Sequence, residues 1–275
     1  MHRKVWNDIE KIRTNSPLVH NITNYVVMNS TANALLALGA SPVMAHAPEE
    51  VEDMAGIAGA LVINIGTLSD SWIKSMSLAM NAAAKQNIPI VLDPVGAGAT
   101  PFRTQTVHKL LADTTPTIIR ANASEIRALS IKGAKVKGVD STDSAEAAFE
   151  AGRSLARQNE CVVSISGQTD FIISGESKYL VYNGHSMMPR VTGLGCTATA
   201  ITGAFAAVNS NPFEAAIHAM IVMGIAGEIA AEKATGPGTL QMHFLDALYQ
   251  MSESDIAGRI RTAPLSDLTD INSKP

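Results

Sequence analysis

The sequence has two cysteines, Cys161 and Cys196, in 275 residues, with only 4% aromatic and 17% charged side chains. Two cysteines do not make a disulfide framework. Cys161 opens the apolar run Cys-Val-Val-Ser-Ile-Ser and reads as a small buried residue in a reducing compartment. The shortage of aromatics and the net charge of -4 argue against nucleic acid as the main partner, because phosphate tracking needs a basic surface and single strands need stacking platforms. No Gly-x-x-x-x-Gly-Lys-Ser/Thr segment occurs, which removes the P-loop enzymes, and no Gly-x-Ser-x-Gly, which disfavours a Ser-His-Asp hydrolase. His20, His46 and Cys196 lack the spacing of a zinc site, and a lone histidine is ordinarily just packed. The first residues, Met-His-Arg-Lys-Val-Trp-Asn-Asp-Ile-Glu, contain no apolar signal core, so the expected location is the cytoplasm. Residues 14–48 and 191–213 carry no charged side chain at all. Neither suits a membrane span of about 20 predominantly apolar residues: the first holds Asn15, Asn21, Asn24, Asn29, Asn33, Pro17 and Pro42, and the second is rich in Thr and Gly. Both read as protein interior and site lining.

What is present is a large apolar share, 46%, enough to bury the core of one α/β domain over residues 1–275, with a polar tail at 266–275. Helical spacing covers residues 3–13, and a strand follows from Pro17 to Asn24. Asn24 is placed to cap a helix that runs to Leu38 and closes at Gly39. Strands at 42–46, 60–66, 88–94, 117–121 and 161–166 then alternate with helices at 49–57, 70–86, 102–112, 123–129 and 143–158, with a Gly/Lys-rich surface stretch at 131–139. Val-Ile-Asn-Ile and Ile-Val-Leu-Asp are continuous apolar runs with a polar residue near the end, as in strands covered on both faces. Residues 170–182 predict a hairpin at a sheet edge, turning at Gly175-Glu176, and from Gly195 onward only helices are predicted, among them 213–233 and 240–251. The fold class is therefore an α/β three-layer sandwich with a mostly parallel central sheet and an all-helical C-terminal third, its ligands gathering at the carboxyl ends of the strands.

The chain is organised around Val191-Thr-Gly-Leu-Gly-Cys-Thr-Ala-Thr-Ala200, where a glycine turn opens onto a small-residue helix. The unbonded N–H groups of such a helix start, near residues 195–197, attract an anion or a developing negative charge. In so donor-rich a place the Cys196 thiol is expected to have a lowered pKa. Two other readings stand beside this one. Gly193 and Gly195 could serve tight helix packing alone, or Gly193-x-Gly195-x-x-Ala198 could be a dinucleotide fingerprint, although that motif belongs early in a βαβ unit and here only helical sequence follows.

Asp93 ends a strand and is followed by Pro-Val-Gly-Ala-Gly, a placement suited to holding Mg²⁺ through water or, more simply, to capping the turn. Arg120, near another strand end, can engage a nucleotide phosphate with its planar fork. Asn122-x-x-Glu125 fits a helix capping pair as well as a ligand role, and Ser166 closes a strand toward the same rim.

Taken together, His20-Asn-Ile-Thr-Asn-Tyr25, Ala40-Ser-Pro-Val-Met-Ala-His46, Asp93-Pro-Val-Gly-Ala-Gly98, Asn122-Ala-Ser-Glu125, Thr192-Gly-Leu-Gly-Cys196 and Gly236-Pro-Gly-Thr239 resemble the hydroxyethylthiazole kinases, ribokinase-like enzymes of thiamin salvage, in the same order over nearly the whole chain. The resemblance implies ATP-dependent, Mg²⁺-dependent phosphorylation of the hydroxyl of 4-methyl-5-(2-hydroxyethyl)thiazole by a homotrimer with active sites at subunit boundaries. By motif position it assigns Met44, Gly193 and Asn24 to the thiazole, Arg120 and Ser166 to the nucleotide, and Asp93 and Glu125 to the metal and phosphates. Cys196 stands where related sugar kinases carry an aspartate base, and the backbone donors at Gly195 and Cys196 are expected to matter more than the thiol. Two rivals are a thiol-dependent hydrolase with Cys196 as nucleophile and a thiazole or nucleotide sensor without turnover.

Overall fold

The computed structural model describes residues 1–130 and 141–265. The surface stretch expected at 131–139 falls outside those residues, as does the polar tail at 266–275. Helix α1 (His2–Asn15) leads into strand β1 (Leu18–Ile22), then α2 (Met28–Leu38), β2 (Ser41–Val43), α3 (Val51–Ile57), β3 (Ala60–Asn64), α4 (Asp70–Lys85), β4 (Ile90–Asp93), α5 (Pro101–Asp113), β5 (Ile118–Asn122), α6 (Ala123–Ser130), α7 (Ser141–Asn159) and β6 (Val162–Ser166). The hairpin follows as β7 (Asp170–Ser174) and β8 (Ser177–Val181), and the chain ends in α8 (Leu194–Val208), α9 (Pro212–Lys233), α10 (Pro237–Gln250), α11 (Glu253–Arg259) and β9 (Thr262–Pro264).

These strands form one nine-stranded sheet in the order β2-β1-β3-β4-β5-β6-β7-β8-β9. Pairing is parallel from β2 through β6 and antiparallel from β6 through β9. Two expectations change here. The C-terminal third is helical except for β9, which pairs Ala263 with Leu180, so the hairpin is flanked rather than terminal. A three-residue strand ending in Pro264 is too short to show periodicity, and an edge position is where a sheet accepts proline. Nor does Asn24 cap α2, which begins at Met28 after Val27.

The alternation of strand side chains divides the interior into two cores. Val91 points to the layer of α1, α2, α8, α9 and α10, while its neighbours Ile90 and Leu92 point to the layer of α3 to α7. Val162 and Val163 divide in the same way. Burial on both faces is why these strands read as unbroken apolar runs. Each fully buried Ile, Leu or Phe contributes about 1.5–3 kcal/mol relative to exposure.

Helix α8 lies on the sheet with residues 197–206 all buried, which explains its lack of charge. It approaches so closely that a Cβ at Gly203 would sit 2.6 Å from Val62 Cγ2. Helix α9 is long and apolar enough to cross a membrane, but 78% of that apolar window is buried inside the protein. It packs against α8 and α10 as a core helix.

Candidate active site

The carboxyl ends of the parallel strands make one rim. Because β1 is flanked by β2 on one side and β3 on the other, the chain reverses direction there, and the crevice of an open α/β sheet opens at such a point. Helix α8 directs its amino end to this rim. Gly193 is its N-cap, with φ +84°, a conformation that disfavours any side chain, and Val27 Cγ1 would lie 2.5 Å from an added Cβ. The helical ladder begins with Thr197 N donating to Gly193 O at 2.8 Å. The amides of Leu194, Gly195 and Cys196 donate to nothing among the described residues, so the start of the helix is bare.

One bonded network runs beneath it. Asn24 Nδ2 donates to Asn64 Oδ1 at 2.9 Å and to Cys196 Sγ at 3.4 Å. Asn64 Nδ2 donates to Asp93 Oδ2 at 2.8 Å, and Thr199 Oγ1 donates to that same oxygen at 2.7 Å. Arg120 Nη1 donates to Gly195 O at 3.0 Å, closing the network under α8. The β3/β4 register sets Asn64 beside Asp93. Asp93 is 1% exposed and its carboxyl is pushed up to about 6, chiefly by burial; the Arg120 charge and the Thr199 bond pull it back, while the Glu125 charge adds to the rise.

The expected lowering of the thiol is corrected by the structure. Burial, and then the Asp93 charge, push Cys196 up to about 11, more than the donors Asn64, Asn24 and the Arg120 charge offset. A helix start helps a thiolate only where solvent or cations also do. Here the residue is half-buried, and the charges acting on its thiol include the Asp93 anion.

Glu125 realises the capping pair: its Oε2 accepts from Asn122 N at 2.9 Å while Asn122 Oδ1 accepts from Glu125 N at 3.0 Å. Its Oε1 accepts from Gly96 N at 2.8 Å, tying α6 to the loop after Asp93. Arg120 lies in the middle of β5, 7% exposed, with Nε unpartnered. Ser166 Oγ reaches Ala121 O at 3.4 Å, one strand over. Met44 follows β2 on the far side of β1, where its carbonyl accepts from His46 Nδ1 at 3.1 Å. Thus Asn24, Asp93, Arg120, Gly195 and Cys196 share one network through Asn64 and Thr199, Glu125 bonds the loop that follows Asp93 through Gly96 N, and Met44, Gly193 and Ser166 make no hydrogen bond to the network among the described residues. His20 is fully buried on Ala45 O at 2.8 Å with its pKa lowered, first by burial, in keeping with a packed histidine.

Several participants went unnoticed in the sequence. Asn64 had a signal, a polar residue at the end of an apolar strand, and Thr199 lies one helical turn beyond Cys196. Arg103 on α5 had none: Nη1 donates to Ile65 O at 2.9 Å and Val95 O at 2.7 Å, and Nη2 to Gly66 O at 2.8 Å, pinning the loops after β3 and β4 together. Asp170 Oδ1 accepts from Gly167 N at 2.9 Å, and burial pushes that carboxyl up to about 7 against the Arg120 charge.

Among the described residues no group of three or more His, Cys, Asp or Glu side chains could cage a metal. The donor set still fits a hard cation held by carboxylate, water and phosphate oxygens. Asp93 Oδ1 accepts no hydrogen bond among the described residues, and each Glu125 oxygen keeps a lone pair beyond its backbone bond.

A mostly parallel sheet between helical layers, with a bare helix start and a buried carboxylate at its rim, is the architecture of ribokinase-like small-molecule kinases. The pyridoxal kinase from Staphylococcus aureus in complex with AMP-PCP shares this fold at a TM-score of 0.60, with 19% identity over 76% of this chain and 87% of that one. A nearer structure is that of the hydroxyethylthiazole kinase protein from Pyrococcus horikoshii OT3, with a TM-score of 0.88 and 42% identity, covering 96% of this chain and 100% of that one. Curated relatives called hydroxyethylthiazole kinase include that of Syntrophus aciditrophicus, 61% identical over 93% of this chain and 95% of its own length. Another, from Nitratidesulfovibrio vulgaris, is 52% identical over 94% and 96%. The model of the hydroxyethylthiazole kinase family matches residues 9–254. The chain belongs to the hydroxyethylthiazole kinase family.

Proposed function

We propose that this protein transfers the γ-phosphoryl group of ATP to the hydroxyl of 4-methyl-5-(2-hydroxyethyl)thiazole, in thiamin salvage. The observation that carries the site assignment is the bare start of α8, with the Leu194, Gly195 and Cys196 amides unbonded above Asp93 and Arg120. Backbone donors aimed where negative charge develops are worth about 3 kcal/mol each in a dry site, and they need no reorganisation as the phosphoryl group moves. Loose phosphoryl transfer asks little of a general base, which suits a thiol held near 11.

Asn24, Met44 and Gly193 face the neutral alcohol, whose weakly polar ring suits the charge-free 14–48 segment. Arg120 and Ser166 serve the nucleotide, and Asp93 and Glu125 hold Mg²⁺. When bound, the ion supplies positive charge to the phosphate oxygens. The working unit is a cytoplasmic homotrimer with sites at subunit boundaries; Tyr25 and Val26, 63% and 67% exposed beside Asn24, support a neighbouring subunit there.

A half-buried thiol whose pKa is pushed up to about 11 counts against a thiol hydrolase. The test is ATP consumption with hydroxyethylthiazole, hydroxymethylpyrimidine and ribose as acceptors. Preference for the thiazole supports the reading. Preference for either of the others moves the substrate, and binding without turnover makes the protein a sensor.

A further inference from the structure

We propose that Asn64 is a positioning residue that couples the two ends of the active site, orienting Asp93 for its cation and Asn24 for the acceptor alcohol; this rests on the roles given to Asp93 and Asn24 above. Asn64 is 1% exposed at the end of β3 and uses its amide in both directions. Its Oδ1 accepts from Asn24 Nδ2 and from Gly66 N, both at 2.9 Å, and its Nδ2 donates to Asp93 Oδ2 at 2.8 Å.

The direction of these bonds matters. An amide can relay donor to acceptor in only one sense, so Asn64 obliges Asn24 to present N–H and Asp93 to present a carboxylate oxygen. With Oδ2 taken by Asn64 and Thr199, the rotation of the Asp93 carboxylate is set and Oδ1 is left to a ligand. With its Nδ2 anchored on Asn64, the Asn24 amide is held over Cys196 Sγ. The loop is shaped around the same contact: a Cβ at Gly66 would lie 2.6 Å from Asn24 Nδ2. Thr199 offers the contrast within one protein, since it bonds the same Asp93 oxygen but makes no hydrogen bond to Asn24 among the described residues.

The experiment measures Mn²⁺ affinity by electron paramagnetic resonance, with a non-hydrolysable ATP analogue bound, alongside steady-state kinetics. Asn64→Ala should weaken Mn²⁺ binding about tenfold, as expected when the group orienting a ligand is removed. It should also raise the KM for the thiazole about fivefold, the effect of one lost neutral hydrogen bond. Thr199→Val should weaken Mn²⁺ and leave the thiazole KM alone. Asp93→Asn tests the cation assignment itself and should lose the ion. Wild-type Mn²⁺ affinity in Asn64→Ala, with Asp93→Asn deficient, overturns the inference alone; wild-type affinity in Asp93→Asn overturns the cation reading. An Asn64→Ala that loses only thermal stability also overturns the inference. If that variant does not fold, the wild-type protein decides: the Asn64 side-chain amide resonance should shift on adding Mg²⁺ with the analogue and again on adding the thiazole, and a resonance that ignores both refutes the coupling.

Discussion

Replacing Cys196 by serine is the sharpest test of how the site treats its proton. With the thiol held at about 11, about one molecule in 3,000 carries a thiolate at pH 7.5, against about one in ten for an ordinary cysteine of pKa ~8.5. A thiolate base would make kcat climb about tenfold per pH unit between pH 7 and 9. The structure argues instead that the thiol chiefly accepts the 3.4 Å bond from Asn24 Nδ2, which a serine hydroxyl can also accept. Loss or weakening of such a bond costs about 1 kcal/mol, so Cys196→Ser should keep at least about a fifth of the wild-type kcat and show no unit slope over that range. Iodoacetamide gives an independent reading: alkylation of wild-type Cys196 at pH 7.5 should be about 300-fold slower than that of an ordinary exposed thiol, from ionisation alone. The measurements are kcat against pH for both proteins, with circular dichroism to show that the fold is kept, and alkylation followed by mass spectrometry. A folded Cys196→Ser without activity, or a unit slope present in the wild type and absent in the variant, refutes the reasoning.

Asp93→Asn should abolish activity yet raise thermal stability at pH 7.5. A carboxyl pushed up to about 6 favours the native state only while protonated, so its ionised form weakens the fold as pH rises through that value. The gain should vanish below about pH 4, where both states are protonated, and scanning calorimetry across pH checks it. Far from the site, Asp8 behaves in the opposite sense: burial would raise its pKa, but bonds from His218, Lys11 and Asn209 and the His218 charge outweigh that and lower it. The Asp8 contribution is therefore full above the ordinary carboxylate range and lost as pH falls through the lowered value. Asp8→Ala should cost about 3 kcal/mol in urea titrations at pH 7, with the difference shrinking below about pH 4. Gly203→Val, whose Cβ would meet Val62 Cγ2 at 2.6 Å, should cost about 3 kcal/mol or prevent folding, measured by the same titration.

Much of this architecture was legible along the chain. The alternation of apolar runs with helical spacing located β3 to β6 and α4 to α7 to within a few residues, since a strand buried on both faces must be apolar throughout and its connecting helix amphipathic. The bare start of α8 was legible too, because Gly193 and Gly195 precede a stretch without charge. Asn24 was misread as a helix cap because asparagine before a helical run does that work most simply. Its amide is instead spent on Asn64, which lies 40 residues away and is invisible to any local rule. Arg103 gave no signal for the same reason: its carbonyl partners at Ile65, Gly66 and Val95 come from loops that only the sheet brings together.

The order of residues by itself determined the parallel α/β layering, the apolar helices of the C-terminal third, the glycine-framed helix start and the motifs that mark the family, because periodicity, turn chemistry and short motifs act within a few neighbouring residues. Tertiary structure alone decided that Asn24, Asn64, Asp93 and Cys196 form one bonded chain, that Glu125 ties α6 to the Asp93 loop, and that the thiol holds its proton. Those outcomes depend on strand register and on desolvation, and both are set by parts of the chain far apart in sequence.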